Sequence, residues 1–224
     1  MPMRSFAQSL LGFCLAASLI LPFEAAAQSR FTGPYIGATV GYGSNRLDTT
    51  KTVTAPVCPD DTVLIGGVCV GASSTISGVT GTALAGYNFA IAHHIIAGIE
   101  ADMTVSGFKG TFHGDDYDTH WNSTLRGRIG YEMAHGLLAY ATAGAGWLNI
   151  KVTPGGLSSS TRTLPGYVVG AGLEYALAPH ARLRLEYLYS KYRSWDFDPS
   201  PTVHERLAPD LHQIRAGVVF PVGP

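Results

Sequence analysis

The sequence is poor in charge, in cysteine and in long apolar runs, and each shortage excludes a class of protein. Charged residues make up 14% of the 224 residues and the formal net charge is -1, so the basic surface of a nucleic-acid binder is missing. A hydrophobic content of 46% excludes an intrinsically disordered chain. Beyond residue 27, no stretch approaches the ~18 consecutive apolar residues of a membrane-spanning helix. The apolar surface of this glycine-rich chain must therefore be removed from water by a structure other than a membrane-spanning helix.

The first 27 residues have the pattern of a secretory signal peptide. Arg4 is followed by an apolar run over 10–22 and then by three small residues, Ala25 to Ala27, which are typical of a cleavage site. We therefore predict a cleaved signal peptide over 1–27 and a single domain over 28–224. The mature chain is expected outside the cytoplasm.

Removal of the leader, with Cys14, leaves Cys58 and Cys69 in a polar stretch. In an oxidising compartment an even pair of cysteines in one loop favours a disulfide, which we predict between these two residues. They have no nearby histidine with which to form a zinc site. We predict no metal site and no cofactor.

Hydrophobic periodicity of two recurs along the mature chain, whereas a helical period is almost absent. In the segment 181–189, Leu183, Leu185 and Tyr187 share one face, and Arg182 and Arg184 share the other. Alternation of this kind indicates β-strands with one apolar and one polar face. Eight segments show it: 35–43, 79–88, 95–105, 121–132, 137–150, 166–175, 181–189 and 212–220.

The connections between these segments alternate in length. Very short ones lie near 90–94, 133–136 and 177–180, and long polar ones lie near 46–74, 107–118, 152–163 and 191–209. This alternation is typical of an outer-membrane barrel with tight periplasmic turns and long external loops. The strands of a soluble sandwich or lipocalin also alternate between inward and outward residues, so the period of two alone does not distinguish these folds from a membrane barrel. We predict an all-β fold, an eight-stranded antiparallel up-and-down transmembrane β-barrel.

Ionisable residues fall on the polar faces of the predicted strands, which should line the interior. With an ionic interior the barrel would have no hydrophobic core, and its apolar exterior would need lipid as solvent. Acids and bases are balanced, and eight strands leave only enough room for side chains, so we favour a structural plug over a conduction path. The predicted network contains Glu100, Asp102, Arg126, Arg128, Glu132, Glu174, Arg182, Arg184, Glu186 and Arg215.

Outward aromatic residues are expected at both ends of the strands. Aromatic belts of this kind lie at the two interfaces of a bilayer. The belt at the short-turn end is predicted to contain Tyr87, Tyr131, Tyr175 and Phe220. The belt at the other end is predicted to contain Tyr42, Trp121, Trp147, Tyr167 and Tyr189.

At this point the chain resembles the small outer-membrane β-barrel proteins of the OmpA-like and opacity-protein type, often described as porin-family surface antigens. Segments that carry the resemblance include LAGYNFA (84–90), LRGRIGYEM (125–133), GYVVGAGLEY (166–175) and LRLEYLYSKY (183–192). The resemblance implies location in the outer membrane of a Gram-negative envelope and brings no catalytic residues. It implies a structural or surface role: membrane integrity, adhesion or antigen display. Implied partners are outer-membrane lipid and lipopolysaccharide, the barrel-insertion machinery, and a host or surface ligand at the loops.

Two alternatives stay open beside this interpretation. The first is a narrow porin-like channel for small solutes. The second is a lipid-modifying or proteolytic enzyme at the outer rim, for which His113, His120, Asp48 and His204 are available. No Ser/His/Asp arrangement can be assembled from these residues, so we predict a protein that is not an enzyme. The histidines and aspartates of 113–120 also match no defined metal motif.

Overall fold

The computed structural model describes residues 29–53, 62–65, 68–71, 74–112, 115–133, 136–153, 160–200 and 203–223. The predicted signal peptide, Cys58, the Cys69 side chain and His113 lie outside what is described, so the leader and the disulfide stay predictions. None of the described residues belongs to a helix long and apolar enough to cross a membrane.

The described chain folds into strands that close on themselves as a barrel. Neighbouring strands pair antiparallel, and the pairing of β1 with β11, from Tyr35↔Pro221 to Val53↔Val203, closes the ring. The eight long strands of the wall are β1, β4, β5, β6, β7, β8, β9 and β11, which confirms the predicted fold class. The strands are β1 (Gly33–Val53), β2 (Thr62–Ile65), β3 (Val68–Gly71), β4 (Ser74–Ala92), β5 (Ile95–Phe112), β6 (Asp115–Met133), β7 (Leu137–Thr153), β8 (Ser160–Ala178), β9 (Ala181–Tyr192), β10 (Trp195–Ser200) and β11 (Val203–Pro221).

Tight connections lie at one end of the barrel, which we call the turn end; the opposite end is the loop end. His93 and His94 join β4 to β5, and Pro179 and His180 join β8 to β9. His94 (φ 64°) and Gly136 (φ 76°) adopt the left-handed conformation that such turns demand. These connections fall where the sequence predicts them.

At the loop end the strands continue further than the sequence analysis predicts, and the long loops inferred there are wrong in part. β5 and β6 run through most of the segment 107–118 and remain paired as far as Phe112↔Asp115. Two further elements were missed, the β2–β3 hairpin within 46–74 and β10 within 191–209. Backbone hydrogen bonding between neighbouring strands is indifferent to side-chain polarity, so the ladder continues where the apolar-outward pattern stops.

The interior is ionic only at its centre, and the expectation that it lacks a hydrophobic core is wrong. A small apolar cluster closes the turn end, formed by Phe31, Ile96 and Leu138. A larger one occupies the loop end, formed by Ile76, Phe108, Leu148, Ile150, Leu164, Tyr192, Trp195 and Leu211. Beside the larger cluster the outward residues include Thr75, Ser77 and Thr163, all exposed, so there the inside is apolar and the outside polar. Apolar side chains turn inward wherever the outside of the wall is polar.

The middle of the barrel has the opposite polarity, with large apolar side chains outside. Val79 is 71% exposed and Ile99 is 58% exposed. The predicted aromatic residues lie at both margins of this apolar band, and Trp121 and Tyr131 on β6 stand ten residues apart. With a strand rise of about 3.3 Å and a tilt of about 40°, this separation corresponds to a band about 25 Å high.

Candidate functional site

At the centre of the barrel, two arginines and two carboxylates alternate in a closed ring. Arg126 Nη2 lies 2.8 Å from Asp102 Oδ2, and Arg126 Nη1 lies 3.0 Å from Glu186 Oε1. From the opposite wall, Arg215 contacts the same two acids, with Nη2 2.7 Å from Asp102 Oδ2 and Nε 2.7 Å from Glu186 Oε2. Because β5 and β11 are not neighbours in the wall, the pair of Asp102 and Arg215 spans the lumen. We call these four residues the upper ring.

A second ring lies next to the first on the side of the turn end. Glu174 Oε1 accepts from Arg184 Nη2 at 2.6 Å and lies 2.8 Å from Arg128 Nη1. Glu100 Oε2 completes this lower ring, 2.7 Å from Arg184 Nη1 and 3.5 Å from Arg128 Nη1. Arg126 joins the two rings through its contact of 2.5 Å with Glu100 Oε1. Four arginines thus meet four carboxylates, and the two rings together carry no net charge.

Two tyrosines support the lower ring. The Tyr35 hydroxyl donates to Glu100 Oε2 at 2.7 Å. The Arg128 guanidinium lies 3.8 Å from the centroid of the Tyr140 ring, within the range of a cation–π contact. Glycines make this arrangement possible, because a Cβ at Gly86 or Gly172 would overlap the rings of Tyr35 and Tyr140. The lumen glycines that flank the lower ring thus make room for aromatic rings.

Two of the ten predicted lumen residues lie outside the rings. Arg182 is buried, and the one acid that it reaches among the described residues is Glu174, with 3.8 Å between Nη1 and Oε2; its guanidinium lies 5.2 Å from the Phe31 ring. Glu132 is half-buried at the turn end, where its Oε2 accepts from Ser29 Oγ at 2.6 Å. The other eight residues are brought together. The sequence cannot identify these partners, because the contacts depend on the register of strands far apart in the chain.

Sequence reasoning missed a layer of neutral polar residues between the upper ring and the loop-end apolar cluster. Asn122 and Gln213 are buried there, and neither side chain finds a hydrogen-bond partner within the described protein. The buried hydroxyls of Thr80 and Thr124 also have no hydrogen-bond partner among the described residues. Buried polar groups of this kind are typically satisfied by internal water. The signal in the sequence was their placement at inward positions of the period-two pattern.

Among the residues considered for a rim enzyme, His120 is not brought together with Asp48 or His204, and His113 lies outside the described residues. His120 is exposed on β6, whereas Asp48 lies on β1 and His204 on β11. In one direction around the barrel, β4 and β5 lie between β6 and β1. In the other direction, β7, β8 and β9 lie between β6 and β11. Among the described residues, no group of three or more metal-ligating side chains forms a candidate metal site.

These features together define a class of protein. An apolar band about 25 Å high, aromatic residues at its two margins and an ionic interior are the properties of a barrel that spans a bilayer. In a closed barrel every strand of the wall has a partner on both sides, which the hydrocarbon interior of a membrane requires. The molecule is an integral outer-membrane β-barrel protein.

Comparison with known proteins identifies the family. The model of the outer membrane protein beta-barrel domain matches residues 13–220, and the chain belongs to this family. It is 30% identical over 200 residues to the 25 kDa outer-membrane immunogenic protein of Brucella canis, covering 89% of this chain and 83% of that protein. It is 37% identical over 121 residues to the 22 kDa outer membrane protein of Rhizobium leguminosarum bv. viciae, covering 54% and 56%. Among solved structures, it is similar to Neisserial surface protein A, with a TM-score of 0.47, 14% identity and coverage of 82% and 97%.

Proposed function

We propose that the protein is a closed barrel with a structural and surface-display role, in which the two ionic rings act as a permanent plug. The observation that carries this proposal is the pairing of Asp102 with Arg215 across the lumen at 2.7 Å, inside a ring of four alternating charges. Moving a buried arginine away from its carboxylates costs several kcal/mol, so a spontaneous opening is rare. The apolar clusters at both ends of the interior add two further barriers to ions.

Recordings in planar lipid bilayers test the plug. The full mature chain is reconstituted, and its insertion is verified by vesicle flotation and by the heat-dependent gel shift of a folded barrel. We expect no stepwise currents from verified insertions. Reproducible conductance steps that scale with the amount of inserted protein would contradict the plug and favour the narrow porin.

We further propose that the loop end faces the outside of the cell and displays antigenic surface, as the name of the Brucella relative suggests for that protein. Short turns in outer-membrane barrels are typically periplasmic, which supports an outward position for the extended strands at the loop end. The lysines of the mature chain all lie at this end: Lys51, Lys109, Lys151 and Lys191. Phe220, outward on the last strand near the turn end, is the element we propose for recognition by the insertion machinery.

A membrane-impermeant amine reagent tests this orientation on intact cells. We expect lysine-containing peptides to be labelled without permeabilisation, because each lysine lies toward the loop end. Labelling that appears only after the outer membrane is permeabilised would reverse the orientation.

The proposal includes no catalytic activity. His120 is separated from the strands that carry Asp48 and His204, and a proton relay requires hydrogen-bond contact. Lipid and peptide hydrolysis assays on the refolded chain are expected to give no turnover. Turnover that disappears in His120→Ala would establish the rim enzyme instead.

A further inference from the structure

The outward face of β8, β9 and β11 carries a cluster of aromatic residues at the loop-end margin of the apolar band. The Tyr187 hydroxyl lies 2.7 Å from His212 Nδ1, and the rings of Tyr189 and His212 are 5.0 Å apart. Tyr167 extends the cluster, with its ring 6.5 Å from that of Tyr189 in an edge-to-face arrangement. These four residues form what we call the aromatic patch.

Two cations lie directly beyond the aromatic patch, toward the loop end. Lys191 stands opposite Tyr167 in the pairing of β8 with β9, and its side chain is 50% exposed. Its Nζ lies 3.7 Å from Asp210 Oδ2, which also accepts a hydrogen bond from the Tyr189 hydroxyl. Arg193 is exposed, and its backbone N–H donates to the Pro165 carbonyl, which fixes this segment against β8.

An apolar groove of about 820 Å³ begins at the opposite margin of the patch and runs over the lipid-facing wall. Its floor includes Ala141 and Ala171, which stand opposite each other on β7 and β8. Larger neighbours, among them Leu185 and Ile214, form its sides. Tyr187 belongs both to the patch and to the groove, so the two are continuous.

We propose that this surface is a docking site for a phosphorylated glycolipid of the outer leaflet. Along β9 the order is cation, aromatic patch and groove, and Lys191 lies about 13 Å from Tyr187 along the strand. The same order describes such a lipid, whose phosphate, sugar rings and acyl chains follow one another into the membrane. Cations bind the phosphate, tyrosine rings at the interface pack against the sugar, and the groove over the alanines accepts acyl chains. At the same margin β4 and β5 present Val79 and Val105, which offer none of this chemistry.

The outward orientation of the loop end is part of the proposed function, so the site is tested on purified refolded protein, where orientation plays no part. Native mass spectrometry in detergent measures retention of three probes: bisphosphorylated hexa-acyl lipid A, its dephosphorylated form, and phosphatidylglycerol. We expect one lipid A to be retained and the other two to bind at least tenfold more weakly. The double variant Lys191→Gln/Arg193→Gln is expected to bind lipid A about thirtyfold more weakly, since each surface cation contributes roughly a fivefold factor.

Matched controls separate the site from general effects. Arg30→Gln removes an exposed cation at the turn end, and Ala101→Leu enlarges an outward alanine on β5; both should bind lipid A like the parent chain. Ala171→Leu fills the groove and should weaken binding. If Ala101→Leu weakened lipid A binding as much as Ala171→Leu does, the proposal would be overturned. The same holds if Arg30→Gln weakened lipid A binding as much as the double variant does. Equal retention of phosphatidylglycerol would also overturn it, because the sugar would then contribute nothing.

Discussion

Removal of Arg126 is the most direct perturbation of the ionic rings. Its guanidinium contacts Glu100, Asp102 and Glu186 at 2.5, 2.8 and 3.0 Å, and it is the residue that joins the two rings. In Arg126→Met all three carboxylates lose a partner, although each still contacts another arginine. Breaking a buried ion pair by removing one partner costs about 3–5 kcal/mol, so we expect a loss of about 4 kcal/mol in the free energy of unfolding.

Arg182→Met is the matched control, because it removes the same charge from the same interior. Within the part of the chain that the structure describes, Arg182 makes one ion pair, at 3.8 Å, and a cation–π contact with Phe31 at 5.2 Å. A contact of this kind is worth about 1 kcal/mol, and the loss should be of that order. Both variants keep an unbranched side chain of similar length, so the difference between them reports on charge contacts.

Equilibrium unfolding in urea, in lipid vesicles and followed by tryptophan fluorescence, measures both losses. The chain contains three tryptophans, and all three lie in strands of the barrel. Equal slopes in urea for the parent and the variants are needed before the free energies are compared. If Arg126→Met were no more destabilising than Arg182→Met, the rings would not be the element that holds the interior together.

Three further predictions concern the wall, the loop-end cluster and the packing of a glycine. Leu125→Lys places a charge near the middle of the apolar band and should cost about 2–4 kcal/mol in vesicles, whereas the same change at the exposed loop-end residue Thr161 should cost about 0–1 kcal/mol. Phe108→Ala opens a cavity in the loop-end cluster and should lower the free energy of unfolding in urea by about 3–5 kcal/mol. A loss near zero would contradict the burial of the Phe108 ring. Gly86→Val should clash with the Tyr35 ring, so unfolding of the double variant Gly86→Val/Tyr35→Ala should show a loss smaller than the sum of the single losses.

The sequence predicted the wall of the barrel well because alternation depends only on local spacing. Along β9, Arg182, Arg184 and Glu186 are buried and Leu183 and Leu185 are exposed, as the period-two pattern indicates. The period-two pattern does not predict which acid pairs with which arginine. Arg126 meets Glu186 of β9 across the lumen, a contact set by the shear of the closed barrel, which no single segment encodes.

The reversal of polarity at the loop end explains why the ends of the strands were missed. On β5, Met103 and Val105 point outward within the apolar band, whereas Phe108, beyond the predicted end of the strand at 105, is buried inside. The alternation continues, but the apolar residues exchange faces. A search for strands that are apolar outside stops at this exchange and assigns the remainder to loops. The same exchange is informative once its cause is known, because the solvent outside the wall changes there from lipid to water. On β7 the inward residues become apolar at Leu148, so this position marks the boundary of the membrane at the loop end, and Trp147 lies at that boundary.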